Sequence, residues 1–267
     1  MGNNDYRIDS HVHLDRILEG DPARVDWMIE RNLAPISWAF SEGRDSFQAV
    51  RSYLEEQKEL VRRLNLRGLR CYHVVGIHPR CIPPEAGWDL PPEVFLTDLF
   101  LRFREDPYCL GVGEIGLETG SDLEIAVFKA HLKALNSYRE GCVCVHTPRE
   151  DKVRVMLKAL DILEQADLDP NRIVVDHLTP ETVGSALERG FWAGVTMSPI
   201  KCGPEDVLAI LDRFPKARER VMLNTDSNHD FYEDLFRFVH SRSTRQDWAY
   251  RIGFENTARF FGILDRF

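Results

Sequence analysis

The chain has 267 residues, 43% hydrophobic and 29% charged, with a formal net charge of −9. That is enough chain for one large core with ordinary soluble-protein composition, and an acidic balance without any Lys/Arg block argues against tight nonspecific binding to nucleic acid. No apolar run reaches the length of a membrane span, no signal-peptide pattern opens the chain, and six cysteines without a C-x-x-C pair suit buried thiols in a reducing compartment, so a cytoplasmic protein is expected.

The first predicted strand, residues 6–9, runs into Ile8-Asp9-Ser10-His11-Val12-His13-Leu14-Asp15. Side chains two apart on a strand share a face, so His11 and His13 can point the same way from its end, with Asp15 nearby. Two imidazoles a few ångströms apart are a natural half-site for a divalent metal, although an isolated H-x-H carries little information. Asp21-Pro22 then supplies an N-cap and a proline at the first helical position, predicting a helix over 23–31. Strands follow at 34–40 and 72–77, the latter leading into His78, and a Pro-rich stretch at 82–92 is the one long loop. The fourth strand, 110–115, carries Glu114, and an apolar stripe at 123, 127, 128, 132 and 135 predicts a long helix over 123–138.

The fifth strand, 142–146, ends on His146, and a second helical stripe covers 153–163. A sixth strand at 173–176 precedes His177; a helix over 181–188 stops before Gly190. The seventh strand is 191–196, a helix runs from Gly203-Pro204 to Phe214-Pro215, and the eighth strand, 221–224, leads to Asp226. Eight strands in this length give about 33 residues per repeat, close to a βα unit, and predict an α/β fold, the eight-fold (β/α)8 TIM-type barrel. Alternation alone also suits an open doubly wound sheet, but His-x-His stands after the first strand where such a sheet carries its glycine-rich phosphate loop. No shift in composition marks a boundary, so one domain over residues 1–267 is expected.

Reactive groups of an eight-fold barrel come from the C-terminal ends of its strands. Those ends carry His11, His13, His78, Glu114, His146, His177 and Asp226, and thus five of the nine histidines. The other four, His73, His131, His229 and His240, lie mid-strand, on helices or in a late loop.

With these pieces in order, the chain resembles the TatD-like metal-dependent hydrolases of the amidohydrolase-like barrel superfamily. The resemblance rests on His11-Val12-His13-Leu14-Asp15, Gly76-Ile77-His78-Pro79, Gly113-Glu114-Ile115-Gly116-Leu117, His146, His177, Asp226 and the tail Asn256-Thr257-Ala258-Arg259-Phe260-Phe261-Gly262. It implies a metallo-dependent hydrolase with a binuclear centre: His11, His13 and Asp226 on one divalent ion, His146 and His177 on the second, and Glu114 bridging, since a carboxylate has an oxygen for each. The implied nucleophile is a metal-bridging hydroxide, with Glu114 and Asp226 as the catalytic carboxylates and Asp226 also taking the proton. Zinc, manganese, magnesium or nickel would suit this donor set.

The substrate side departs from the family pattern. His146-Thr147-Pro148-Arg149 stands in place of His-Ser-Arg, Asp176-His177-Leu178 in place of a His-Cys-Phe setting, Asn224-Thr225 in place of Glu-Thr, and Glu118 where Asp is usual. The implied function is hydrolysis of phosphodiester bonds of nucleic acid, as in a TatD-like deoxyribonuclease. The alternatives are a hydrolase of a small-molecule ester, lactone or amide, and a metal-binding scaffold without catalysis. His78 is a candidate substrate-binding residue or a loop-ordering one. Asp176 could orient an imidazole, and Arg80, Arg149 and His229 are further candidates for the mouth.

Overall fold

The computed structural model describes residues 5–135, 141–241 and 246–267. Eight parallel strands neighbour one another in chain order: β1 (Arg7–Val12), β2 (Leu33–Ser37), β3 (Tyr72–Val75), β4 (Cys109–Gly116), β5 (Cys142–His146), β6 (Ile173–Val175), β7 (Trp192–Thr196) and β8 (Val221–Asn224). A parallel bridge between Val12 and Ser227 brings the ring round. Backbone bonds reinforce it, from Asp226 N–H to the His11 carbonyl at 3.0 Å and from His13 N–H to the Ser227 carbonyl at 2.8 Å. This is the (β/α)8 barrel, with all eight strands in the predicted places.

The main difference lies in β1, which continues to Val12, so that His11 stands inside the strand and not beyond its end. Ile8 joins the interior cluster with Ile36, Val74, Cys144 and Val174, whereas Val12 packs outward with the helices. Residues four apart on a regular strand share a face. A register irregularity between Asp9 and Val12 breaks that phase, and with it His11 and His13 are aimed at the barrel mouth.

Helices fill the connections. The predicted helices over 23–31, 153–163, 181–188 and 204–214 are found as Arg24–Glu30, Lys152–Glu164, Val183–Glu188 and Pro204–Arg213. The one predicted over 123–138 is described as Asp122–Ala134, and its last residues, 136–138, lie outside the described residues. Further helices include Leu14–Gly20, Phe47–Arg67 and Pro92–Phe103. Phe47–Arg67 is capped by Ser46, whose Oγ accepts from Ala49 N–H at 3.2 Å, and its buried stripe (Phe47, Val50, Leu54, Gln57, Val61, Leu64) includes a polar member. The tail closes the opposite end of the barrel from the mouth. Phe254, Phe260, Phe261 and Ile263 join the interior cluster, and Asn256 donates to the carbonyls of Val221 (2.6 Å) and Arg218 (3.1 Å) at the start of β8.

His131, on the helix Asp122–Ala134, is fully buried and steadies the end of β3. Its Nε2 accepts from Ile77 N–H at 3.1 Å and its Nδ1 donates to the Val127 carbonyl at 2.8 Å, so both nitrogens are used only by the neutral ring. Burial pushes its pKa down to about 4. The unfolded chain takes up a proton below the usual value near 6.5, while the folded one does not until about 4. The stabilisation is therefore present above pH 6.5 and lost as pH falls through that window, amounting to about 3 kcal/mol. Urea unfolding of wild type and His131→Gln at pH 7.5 and 4.5 should show the wild type losing that much more stability on acidification. Parallel losses would remove His131 from the account.

Candidate metal centre

The mouth gathers the predicted residues from six strands. His11 lies in β1 and His13 just after it, Glu114 in β4, and His146 at the last position of β5. His177 and Asp226 each stand two residues past their strands, β6 and β8. His78 stands three past β3. Glu114 and the histidines are buried, and Asp226 keeps 13% of its side chain exposed.

The outer nitrogen of each of three imidazoles faces an acceptor. His11 Nδ1 donates to Asp176 Oδ2 at 2.7 Å, His13 Nδ1 to the Trp38 carbonyl at 3.0 Å, and His146 Nε2 to Glu118 Oε2 at 2.6 Å. Each bond leaves the other nitrogen's lone pair turned to the centre. There Glu114 divides its oxygens. Oε2 lies 3.4 Å from His11 Nε2, while Oε1 lies 2.6 Å from His146 Nδ1 and 3.2 Å from His177 Nε2. Asp226 Oδ1 faces His13 Nε2 at 3.1 Å and His11 Nε2 at 3.7 Å. His11, His13 and Glu114 thus offer ligand atoms within 4.8 Å of one another.

This donor set fits a divalent cation. His11 Nε2 is buried without a hydrogen-bond partner, although it points at two carboxylates. Burial alone would lower the His11 pKa, yet Glu114, Asp176 and Asp226 override it and draw it up to about 10. Such a pull marks a buried spot where negative charge exceeds positive.

Two devices hold His11 still. Its ring stacks on Trp38 with centroids 4.0 Å apart and planes at 10°. Asp176 accepts from it on one oxygen and from Asn224 Nδ2 on the other at 2.7 Å. Room for that carboxylate comes from Gly194, where an added Cβ would lie 2.1 Å from Asp176 Oδ1. Asn224 is thus the donor to an acid that stands just past β6. Asp176→Asn keeps the volume but has one acceptor oxygen for two donors. Divalent-metal affinity, measured calorimetrically, should fall roughly 10–100-fold with the fold retained. Unchanged affinity would leave Trp38 stacking as sufficient.

The backbone contributes as well. His177 and Asp226 both have left-handed φ, +57° and +51°. Such conformations cost about 1–3 kcal/mol each where side-chain geometry demands them. Asp9 braces the second one: its carboxylate accepts from Thr225 N–H at 3.0 Å and Thr225 O–H at 2.6 Å, next to Asp226.

His78 plays a different part. Arg80 N–H donates to its Nδ1 at 3.0 Å, which puts the proton of the neutral ring on Nε2. Burial holds its pKa well below the usual histidine range. Its Nε2–H points inward, 3.3 Å from His146 Nδ1 and 3.7 Å from Glu114 Oε1. His78, Glu114 and His146 also bring ring nitrogens and a carboxylate oxygen within 4.8 Å of one another, but His78 presents a donor there and no lone pair.

Two lysines of the mouth carry no signal in the sequence, where they look like any surface lysine. Lys201 Nζ donates to Asp226 Oδ2 at 2.5 Å and lies 3.0 Å from His177 Nδ1. Lys152 Nζ donates to the His177 carbonyl (2.9 Å) and Thr147 Oγ1 (3.0 Å), and burial plus the neighbouring Lys201 push its pKa down to about 8. Other candidates stay outside the centre. Asp15 turns away to accept from the Tyr53 hydroxyl at 3.1 Å, and His229 pairs with Glu19 at the surface. Arg80 and Arg149 line the rim of a cavity of about 750 Å³ together with Arg16.

Comparison with known proteins gives one family and several similar barrels. A family model described as TatD related DNase matches residues 8–230. A Methanocaldococcus jannaschii protein described as an uncharacterized metal-dependent hydrolase is 24% identical over 216 residues, 78% of this chain and 80% of that protein. The crystal structure of a TatD-like protein from Archaeoglobus fulgidus superposes with a TM-score of 0.75 at 27% identity, covering 96% of this chain and 99% of that one. A phosphotriesterase homology protein from Escherichia coli, solved with phosphate in its active site, shares the fold at a TM-score of 0.70 and 16% identity, over 97% and 100% of the two chains.

Proposed function

The chain belongs to the family of TatD-related DNases, which are metal-dependent hydrolases, and on that premise we propose that the cluster around Glu114 is its divalent-metal centre and that it hydrolyses phosphodiester bonds at a nucleic-acid end. One observation carries the reading: Glu114 turns one oxygen to His11 and the other to His146 and His177. His11, His13 and Asp226 would hold one ion, His146 and His177 a second, and Glu114 would touch both. A bound divalent ion would polarise the scissile group and acidify the attacking water. Imidazole and carboxylate donors suit zinc, manganese, nickel or magnesium.

The remaining work falls to residues of the chain. Asp226 stands at the open side of the centre and accepts the proton of the attacking water. His78 directs a neutral N–H to the place where negative charge gathers on the substrate oxygen. Arg16, Arg80 and Arg149 lend local positive charge to the rim of an otherwise acidic protein. The cavity of about 750 Å³ is in the range of small-molecule sites and would admit a strand end, not the side of a duplex. Phosphate in the active site of the similar Escherichia coli barrel agrees with an anionic substrate. Among the described residues no helix is long and apolar enough to cross a membrane. One barrel domain over 1–267 and a cytoplasmic location are part of the same proposal, the latter resting on six cysteines that stay unpaired.

The same cavity size supports a second reading, a small-molecule ester, lactone or amide as substrate. A panel of single-stranded DNA, bis(p-nitrophenyl) phosphate and lactones separates the two, run after chelation and again after metal is restored. Release of mononucleotides that needs metal and vanishes in Glu114→Ala is expected. Turnover of lactones alone would transfer the assignment to the second reading, and metal-independent turnover would sink both.

A further inference from the structure

The two halves of the centre differ in what faces them from outside. On the His11 and His13 side every outer nitrogen meets an acceptor, Asp176 or the Trp38 carbonyl. On the other side His146 also meets an acceptor, Glu118, but His177 Nδ1 meets a hydroxyl, Thr196 Oγ1 at 2.8 Å, and an ammonium, Lys201 Nζ at 3.0 Å, with Asp176 Oδ2 farther off at 3.6 Å. An ammonium can only donate. If His177 accepts from Lys201, the ring proton moves to Nε2, the nitrogen that faces Glu114, and no lone pair is left there. His177 offers Nε2 to a cation only when Nδ1–H is given to Thr196 and the bond from Lys201 is broken.

Lys201 is not a loosely placed surface side chain. It sits in a tight turn after β7, with Lys201 N–H bonded to the Ser198 carbonyl and Cys202 N–H to the Thr196 carbonyl, both at 3.1 Å. Its side chain is 17% exposed and reaches across the mouth to Asp226 Oδ2, leaving Oδ1 to His11 and His13. Lys152 adds a second ammonium on the His177 carbonyl. Lys201 thus touches one residue of each half, but on Asp226 it leaves Oδ1 free, whereas on His177 its bond decides which ring nitrogen keeps a lone pair.

We propose that Lys201 is a built-in competitor for the second cation position, so that the centre binds one divalent ion tightly and a second weakly. This rests on the metal-centre reading above and refines it: the His11, His13, Asp226 and Glu114 half fills first, and the His146 and His177 half fills only when Lys201 gives up His177.

The test is the metal stoichiometry of the intact protein, stripped with a chelator and titrated with zinc and, separately, manganese, by calorimetry and by equilibrium dialysis with elemental analysis. Lys201→Met removes the charge at similar length, and Lys201→Arg keeps a donor that cannot accept. Wild type and Lys201→Arg should bind the second equivalent far more weakly than the first. Lys201→Met should tighten the second by at least about tenfold, the scale on which groups around metal ligands act, and move the first, which has Asp226 Oδ1 available in either form, by less. Two ions of similar affinity in wild type, or a second affinity unmoved in Lys201→Met, overturns the competition while the metal centre stands. No ion bound to any form at all overturns the metal-centre reading, and the competition with it.

Discussion

Glu114→Gln is expected to cost more turnover than replacing any one histidine of the centre by alanine. The amide keeps the volume and one carbonyl oxygen but loses the charge and turns an N–H₂ to one side. In this geometry whichever side receives the nitrogen loses its partner, because Oε2 serves His11 while Oε1 serves His146 and His177. Each histidine, by contrast, serves one half. The loss should exceed the roughly 10–100-fold that removal of an outer hydrogen-bonding partner costs, and bound metal should fall with it. Glu114 is also 1% exposed, so the variant must be checked by circular dichroism and thermal melting before its rate is read. Near-normal turnover in Glu114→Gln beside an inactive His146→Ala would mean that the shared role belongs elsewhere.

Asp226→Asn separates holding a cation from moving a proton. Asn offers a carbonyl oxygen as a ligand, but an amide oxygen is far too weak a base near neutral pH. Much of the metal should therefore stay while turnover falls about 10²–10⁴-fold, the usual contribution of a positioned acid or base. Lys201 sharpens the design. The wild-type carboxylate gives Oδ1 to His13 and His11 and Oδ2 to Lys201, and this pairing, against the effect of burial, holds Asp226 well below the usual carboxylate range. Asn can satisfy one of those sides only. Metal content and rate must be measured on the same sample, since lost metal would imitate lost chemistry. Full occupancy with a rate within a few-fold of wild type would take Asp226 out of proton transfer.

The sequence by itself determined the barrel and the identity of the residues at its mouth. Strand and helix periods are local properties, readable from a dozen residues, and eight repeats leave few architectures open. Because barrel chemistry collects at strand ends, His11, His13, Glu114, His146, His177 and Asp226 could be picked out one strand at a time. What the tertiary structure decided is everything that depends on pairs far apart in the chain. The irregularity that turns His11 inward is a register feature of β1 against β2, invisible in either strand alone. His11 meets Asp176 across 165 positions, and Asn224 reaches the same carboxylate from β8, so the residue that departs from the family pattern acquires a role only in the folded ring. His78 is separated from the other histidines by a single backbone N–H, that of Arg80, which decides which nitrogen carries the proton. Lys201 sits 25 residues from Asp226 with nothing in its neighbours to mark it. A lysine's function is set by what its ammonium touches, and no local pattern encodes that contact.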